Sequence, residues 1–333
     1  MTTDVLAGTL ATGEPAAGVT RRSRTSSRTR SRRPRPTSGA ALYRPWWTPW
    51  LWVAPALVVI GVFGVFPFLN TIVLSFTDAR PLGGGGDWVG MDNYSRMVAD
   101  PAFWLAVRNS VLYAVVAVPL LVVLPLMLAQ LVYKKVPAIG FFRTAFYAPV
   151  VASMVAVALV WQNLVSENGP INTALQQVGI IDSPIPFLSD TTLLLLTAVA
   201  LTVWKGLGWY MIFYLSALAS VPKDLYEAAS LDGAGTFRQF VHVTVPGVRL
   251  TMLLVGIMSG IGSLRVFTEI YILGGATGGV GGQARTLPFY IRDVALDPIA
   301  GNVGYGAAIS VALFVLTIGL AVASHKLGSK EED

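Results

Sequence analysis

The chain has 333 residues, is 54% hydrophobic, and has only 24 basic and 18 acidic side chains. That charged fraction is about half the roughly 25% of soluble globular domains, which argues against an ordinary soluble enzyme and favours one polytopic membrane domain. No cysteine is present, so disulfides and thiol nucleophiles are excluded, and His242 and His325 are too few and too far apart in sequence to suggest a metal site.

Residues 1–49 contain nine arginines against Asp4 and Glu14, a net of +7, while the remaining 284 residues sum to −1. The net charge of +6 therefore belongs to the tail, and the body has no nucleic-acid footprint. Eight of these arginines fall between Arg21 and Arg35 with no large apolar residue among them, a composition that reads as disordered. Such a tail orients the first span or contacts anionic headgroups. The first apolar run, residues 51–76, starts too late and runs too long for a cleaved signal peptide.

Five more apolar runs follow at residues 105–132, 146–164, 193–218, 250–273 and 303–323, each near the roughly 20 residues that cross a bilayer as a helix. The expected fold is all-α, with six transmembrane helices in a domain at 50–325 and a short C-terminal tail at 326–333. With the N-terminus cytoplasmic, 17 basic residues fall inside, among them Lys134, Lys135, Arg143, Lys223, Arg238, Arg249, Lys326 and Lys330. Five fall outside: Arg80, Arg96, Arg108, Arg285 and Arg292. Without the tail the ratio is still eight to five, so the positive-inside rule puts both termini in the cytoplasm. Pro55, Pro67, Pro119, Pro125 and Pro149 lie in or near the first three spans, where lost backbone bonds can be re-satisfied by neighbours. Gly256 and Gly260, four apart, would allow a close helix approach.

The loop at 221–248 is the most informative stretch. Pro222 suits a first helical position, and Leu225, Ala228, Ala229 and Leu231 form a small apolar face. Gly233 and Gly235 then break that helix. Thr236 and Gln239 have the spacing of a capping box for a second helix, in which Phe237, Phe240 and Val241 share a face and which Pro246 ends. A helix-turn-helix DNA reader would need more polar side chains on that second helix than Arg238, Gln239 and His242. A re-entrant connector is the plainer alternative.

The segment from Glu227 to Pro246, EAASLDGAGTFRQFVHVTVP, resembles the EAA loop in membrane subunits of bacterial ABC importers. Residues 89–113 and 265–291 are similar to the carbohydrate-uptake branch of that family, the maltose and glycerol-3-phosphate permease type. The resemblance implies the type I importer permease fold, with a cytoplasmic coupling helix seated in a cleft of an ATP-binding subunit. By that resemblance Glu227, Ala228, Ala229, Asp232, Gly233 and Ala234 would form the ATPase interface. It further implies a second permease, two ATPase copies and an extracytoplasmic solute-binding protein, in the bacterial cytoplasmic membrane. Many relatives have a second proline near Arg249 or Leu250, and this chain does not.

No glycine run has the form of a phosphate-binding loop ending in Lys-Ser or Lys-Thr. The chain is therefore not expected to be an enzyme or to bind a cofactor itself. ATP and Mg would be used by the partner, and a stand-alone ion-coupled carrier is the alternative. Lys205, Arg265 and Glu269 are the charged residues clearly inside the expected spans, and each costs about 2.5–3.5 kcal/mol there unless partnered. Arg265 and Glu269, four apart, could pair, whereas Lys205 has no local partner. With Trp204, these three are the candidates for the translocation path; holding two permeases together, or snorkelling, is the alternative.

Overall fold

The computed structural model describes residues 47–83, 86–133, 139–297 and 300–329. Residues 1–46 of the basic tail, Gly84 and Gly85, Lys134 and Lys135, and residues 330–333 with Lys330 lie outside the described residues. The chain divides into a unit ending at Val58 and a unit from Val59 onward. In the first, the described part is Trp47 and most of helix α1, Thr48–Ile60, with no buried residue.

Among the described residues the structure is all-helical, apart from one isolated bridge between Thr77 and Trp88. A π turn, Gly61–Val65, leads into α2, Phe66–Leu74, so an apolar helix runs over Thr48–Leu74. The extra residue in that turn falls just ahead of Pro67, whose ring and missing N–H would otherwise disturb the preceding turn. Then come α3, Asp92–Ala99, and the 33-residue α4, Pro101–Tyr133. Next are α5, Ile139–Val151, α6, Met154–Val165, and α7, Pro170–Gln177. The 30-residue α8, Thr191–Ser220, precedes the loop helices α9, Lys223–Leu231, α10, Thr236–Gln239, and α11, Val245–Gly247. The last four are α12, Arg249–Leu264, α13, Thr268–Leu273, α14, Leu287–Leu296, and α15, Val303–Ser329.

Thr48–Leu74, α4, α8 and Val303–Ser324 within α15 are long and apolar enough to cross a membrane. They match the expected first, second, fourth and sixth spans. The third and fifth differ. The third is bent by 98° between Val151 and Met154, where Ser153 leaves the helical region just after Pro149. The expected fifth, 250–273, stops at Leu264 and resumes only as the short α13. A membrane-spanning length is reached there by joining α12 to Thr236–Gly247 through a 71° bend. Among the described residues four helices are thus continuous spans, and up to six result if each bent pair is one.

Helices α4 and α8 run parallel. Tyr113 and Ala117 pack with Leu194, Ala198 and Leu201 at one level, and Leu126 and Ala129 with Met211 and Leu218 at the next. The α12 segment runs the other way, with Val255 in the second cluster and Val266, just past its end, in the first. Glycines set the closest approaches. A Cβ on Gly208 would stand 2.8 Å from Tyr147 Cα, so α8 rests on the backbone of α5, and one on Gly260 would meet Leu320 Cδ2 at 2.8 Å.

The end of the bundle where α4 begins is stitched by side chains bonded to remote backbone. Asn93 Nδ2 donates to Ser75 O and Thr77 O, and Asn109 Nδ2 to Gln283 O and Arg285 O. Ser110 Oγ accepts from Leu287 N–H at 2.8 Å. Asp100 is the knot: its Oδ2 accepts from Tyr290 and from Tyr305, the latter at 2.6 Å, and its Oδ1 from Ala102 N–H at 2.9 Å. Burial pushes the Asp100 carboxyl upward, but the two tyrosine hydroxyls and the N–H groups of Ala102 and Phe103 outweigh it and hold it below its usual value. Burial first, then the bond to Asp100, raises the Tyr290 phenol to about 12, which keeps it a donor through the physiological range.

A carboxylate depressed on folding contributes stability that is present above its unfolded pKa of about 3.9 and lost as pH falls through the lower folded value. The knot is therefore expected to be indifferent to pH between 5 and 8 and to loosen only below about 4. Hydrogen exchange of the first turns of α14 and α15 across that range checks this, with Asp100→Asn as the reference that removes the titration.

Candidate functional site

The loop at 221–248 is a small rigid unit. Helix α9 starts after Pro222, which is its N-cap. It ends in a Schellman motif, with Gly233 N–H bonded to Ser230 O at 3.1 Å and Ala234 N–H to Ala229 O at 2.9 Å. Gly233 has φ +76°, the left-handed conformation this motif takes and glycine adopts without penalty. The expected capping box is not formed. Gly235 is the N-cap of α10, with no side-chain bond, and Gln239 Nε2 instead reaches back to Ser230 Oγ and Ala234 O, both at 2.9 Å. Through these two bonds Gln239 fastens the two helices together. Tyr226 adds a second tie, its hydroxyl 3.0 Å from Thr244 Oγ1.

Pro246 does not end the second helix as expected. A π turn, Phe240–Thr244, absorbs it ahead of α11, as the first π turn does before Pro67. Nor do Phe237, Phe240 and Val241 share one environment. Phe240 packs with the core around Leu218, Val221 and Val248, whereas Phe237 is 81% exposed and Leu231 89%. Glu227, Ala228, Asp232 and Gly233 are exposed, and Ala229 and Ala234 half-buried. The loop thus presents a carboxylate and two large apolar side chains at the end where α4 and α8 finish.

A second feature is a cavity of about 380 Å3 lined by residues of α4, α5, α6, α8, α12 and α13, among them Thr202, Lys205, Tyr210, Ser259, Ser263 and Glu269. Of the four path candidates, the structure brings Lys205 and Glu269 together in its wall. Trp204 and Arg265 are not part of it. Trp204 is 42% exposed, its ring 6.0 Å from that of Trp161, and Arg265 is an exposed helix C-cap. The expected Arg265–Glu269 pair does not form, because the helix breaks between them at Val266 and Phe267 and the i, i+4 geometry is lost. Glu269 accepts instead from Thr202 Oγ1 at 3.1 Å, and Thr202 in turn lies 2.7 Å from the Tyr113 hydroxyl.

Lys205 is fully engaged. Its Nζ donates to Pro149 O, Val150 O and Ala152 O at 3.1, 3.0 and 2.9 Å, one acceptor for each ammonium proton. These are carbonyls left without helical partners where α5 ends, and a cation there also complements the helix dipole. Lys205 therefore caps the break in the third span. Thr202, Ser259 and Ser263 were not singled out from sequence. Ser259 and Ser263 are four apart, a polar pair on one face of an apolar helix, and that spacing was the available signal. The Ser263 Oγ is buried with no hydrogen-bond partner among the described residues.

Lys205→Met keeps the stem and strands three carbonyls, each costing about 1–3 kcal/mol if left buried and unpaired. The variant is expected to unfold at a lower temperature in detergent, and Lys205→Arg should largely restore the melting temperature.

Residues 104–325 match the family described as binding-protein-dependent transport system inner membrane component. The lactose transport system permease protein LacF of Rhizobium radiobacter is 34% identical over 276 residues, covering 83% of this chain and 91% of that protein. The arabinooligosaccharides transport system permease protein AraP of Bacillus subtilis is 30% identical over 284 residues, covering 84% and 88%. Among solved structures, a chain of a bacterial ABC transporter involved in the import of the acidic polysaccharide alginate superposes with a TM-score of 0.73 at 21% identity, covering 85% of this chain and 96% of that one. The broken third span and the capped loop thus sit in a known helical architecture, and the chain belongs to the family of inner membrane components of binding-protein-dependent transport systems.

Proposed function

We propose that the chain is the permease subunit of an ATP-driven importer for a sugar or sugar derivative, coupled to a separate ATPase through the loop at 221–248. The observation that carries this reading is the construction of that loop, in which a Schellman-capped α9 is tied to α10 by Gln239 and displays Glu227, Leu231 and Phe237 outward. A rigid, exposed pair of short helices suits the transmission of a push from a bound subunit into α8 and α12, which flank it. The transport substrates in the names of the relatives, lactose and arabinooligosaccharides, support the sugar class. A solved relative in complex with a periplasmic protein bound to an alginate pentasaccharide supports an extracytoplasmic solute-binding partner.

In this reading both termini and the loop are cytoplasmic, the tail at 1–49 and the segment 326–333 flank a transmembrane domain at 50–325, and a second permease completes the pathway. Two ATPase copies would supply the ATP and Mg chemistry. Glu227, Ala228, Ala229, Asp232, Gly233 and Ala234 form the docking surface. The small side chains of Ala228, Ala229 and Ala234 allow a close approach, and Gly233 holds the turn. The cavity bearing Glu269, Thr202 and the unpartnered Ser263 hydroxyl is this subunit's part of the path, offering hydrogen bonds to sugar hydroxyls. Lys205 contributes its wall while holding the bend, and Trp204 and Arg265 act at the edge of the path or at the second permease. ATP binding closes the ATPases, the loop moves as a body, and the spans alternate between inward-open and outward-open.

Two measurements test this. In proteoliposomes with the co-purified ATPase, Glu227→Lys and Gly233→Asp are expected to reduce ATP-driven uptake at least about tenfold while the chain still inserts. Normal uptake in both variants would remove the coupling assignment, and uptake that survives ATP depletion would favour an ion-coupled carrier. Ser263→Val is expected to raise the KM for the sugar with little change in ATPase stimulation; an unchanged KM counts against the cavity as part of the path.

A further inference from the structure

At the end of the bundle opposite the loop, a separate cavity of about 450 Å3 is lined by Arg96, Arg285, Arg292, Tyr290, Asp293 and Asn302, with Asp297 beside them. Three guanidiniums and two carboxylates leave it one positive charge in excess. Each arginine is held in place by contacts that use little of its hydrogen-bonding capacity. Arg96 lies over the Tyr305 ring, 4.3 Å from its centroid, and Arg292 over the Tyr271 ring at 5.2 Å. Both are cation–π contacts, which do not consume the guanidinium N–H donors.

Arg285 Nε–H is shared between Thr277 O and Asp293 Oδ2, both at 3.1 Å, and Arg292 Nη1 bonds Asp293 Oδ1 at 3.0 Å. The Asp293 carboxylate is thereby taken on both oxygens. A guanidinium has five N–H donors, so most of the fifteen remain without a partner among the described residues. Asn302 Oδ1 accepts from Tyr305 N–H, which leaves its amide N–H groups without a partner among the described residues. Asp100, the nearby acid, is committed to the hydroxyls of Tyr290 and Tyr305 and does not line the cavity.

We infer that this cavity is a binding site for a small carboxylated solute of the size of a hexuronic acid. Fixed, planar forks with unused donors match a carboxylate geometrically. The volume lies in the range of small-molecule sites, about 300–1,000 Å3, and exceeds what a bare inorganic anion fills. Val294 and Leu296 supply an apolar part of the wall for a sugar face. The site is distinct from the cavity at Glu269 and does not depend on the transport reading.

The test is calorimetric titration of the intact transporter in nanodiscs with glucuronate, glucose, acetate and sulfate, without nucleotide. Saturable binding of glucuronate is expected, with none of glucose. Arg96→Gln is expected to weaken it about tenfold, the loss of one charge-assisted contact, and Arg96→Lys less. Unchanged elution and melting of both variants guards against misfolding, and Arg292→Gln gives an independent second variant. The proposal is overturned if glucuronate does not bind, if glucose binds equally, if acetate or sulfate binds as tightly as glucuronate, or if both glutamine variants bind normally. It is also overturned if Arg96→Gln weakens only the docking of the solute-binding protein, which would make the patch a protein contact. Uptake assays on the same samples report separately on the permease reading.

Discussion

Hydrocarbon offers no water to a broken helix, so every peptide group freed by a bend has to find its partner within the protein. This chain is interrupted repeatedly, and at several interruptions a polar side chain from elsewhere arrives. Lys205 satisfies three carbonyls where α5 stops. Thr286 Oγ1 donates to Val266 O at the gap between α12 and α13, and Gln162 Nε2 to Ile272 O near the end of α13. Arg143 Nη2 bonds Val132 O as α4 ends. The polar residues of the spans are therefore distributed according to where the backbone is interrupted, and the cavity at Glu269 opens beside two of those interruptions.

That rule explains which parts of the architecture were legible in the sequence. The four continuous spans were, because a long apolar run has one cheap solution in a bilayer, and their ends came within a few residues of the helices observed. The third and fifth were legible as apolar mass but not as shape. Pro149 announced a disturbance, yet the 98° bend falls four residues later at Ser153, where Lys205, more than fifty residues on, donates to three of the carbonyls from Pro149 to Ala152. Arg265 and Glu269 were misjudged for the same reason. Spacing of four implies pairing only while the helix continues, and here it stops at Leu264.

The loop at 221–248 shows the reverse balance. Its two helices and its glycine turn follow from local propensity, and Gly233 has the positive φ that the turn needs. What local pattern could not supply was the destination of Gln239. The same side chain that reads as half of a capping box is better used nine residues back, on Ser230, and that choice turns two short helices into one body.

The knot at Asp100 has a mechanical consequence. Ser75, Thr77, Asn93, Asn109, Ser110, Tyr290 and Tyr305 are all sewn into one end of the bundle by bonds that cross between distant segments. A rotation that left these bonds intact would use the knotted end as a bearing and the opposite end as the arm. With 33 residues, α4 extends about 50 Å from that bearing. A tilt of only about 5° would then sweep its far end through about 4 Å, most of one helical turn. By this lever a small rotation at Asp100 would become a large displacement where the loop helices sit.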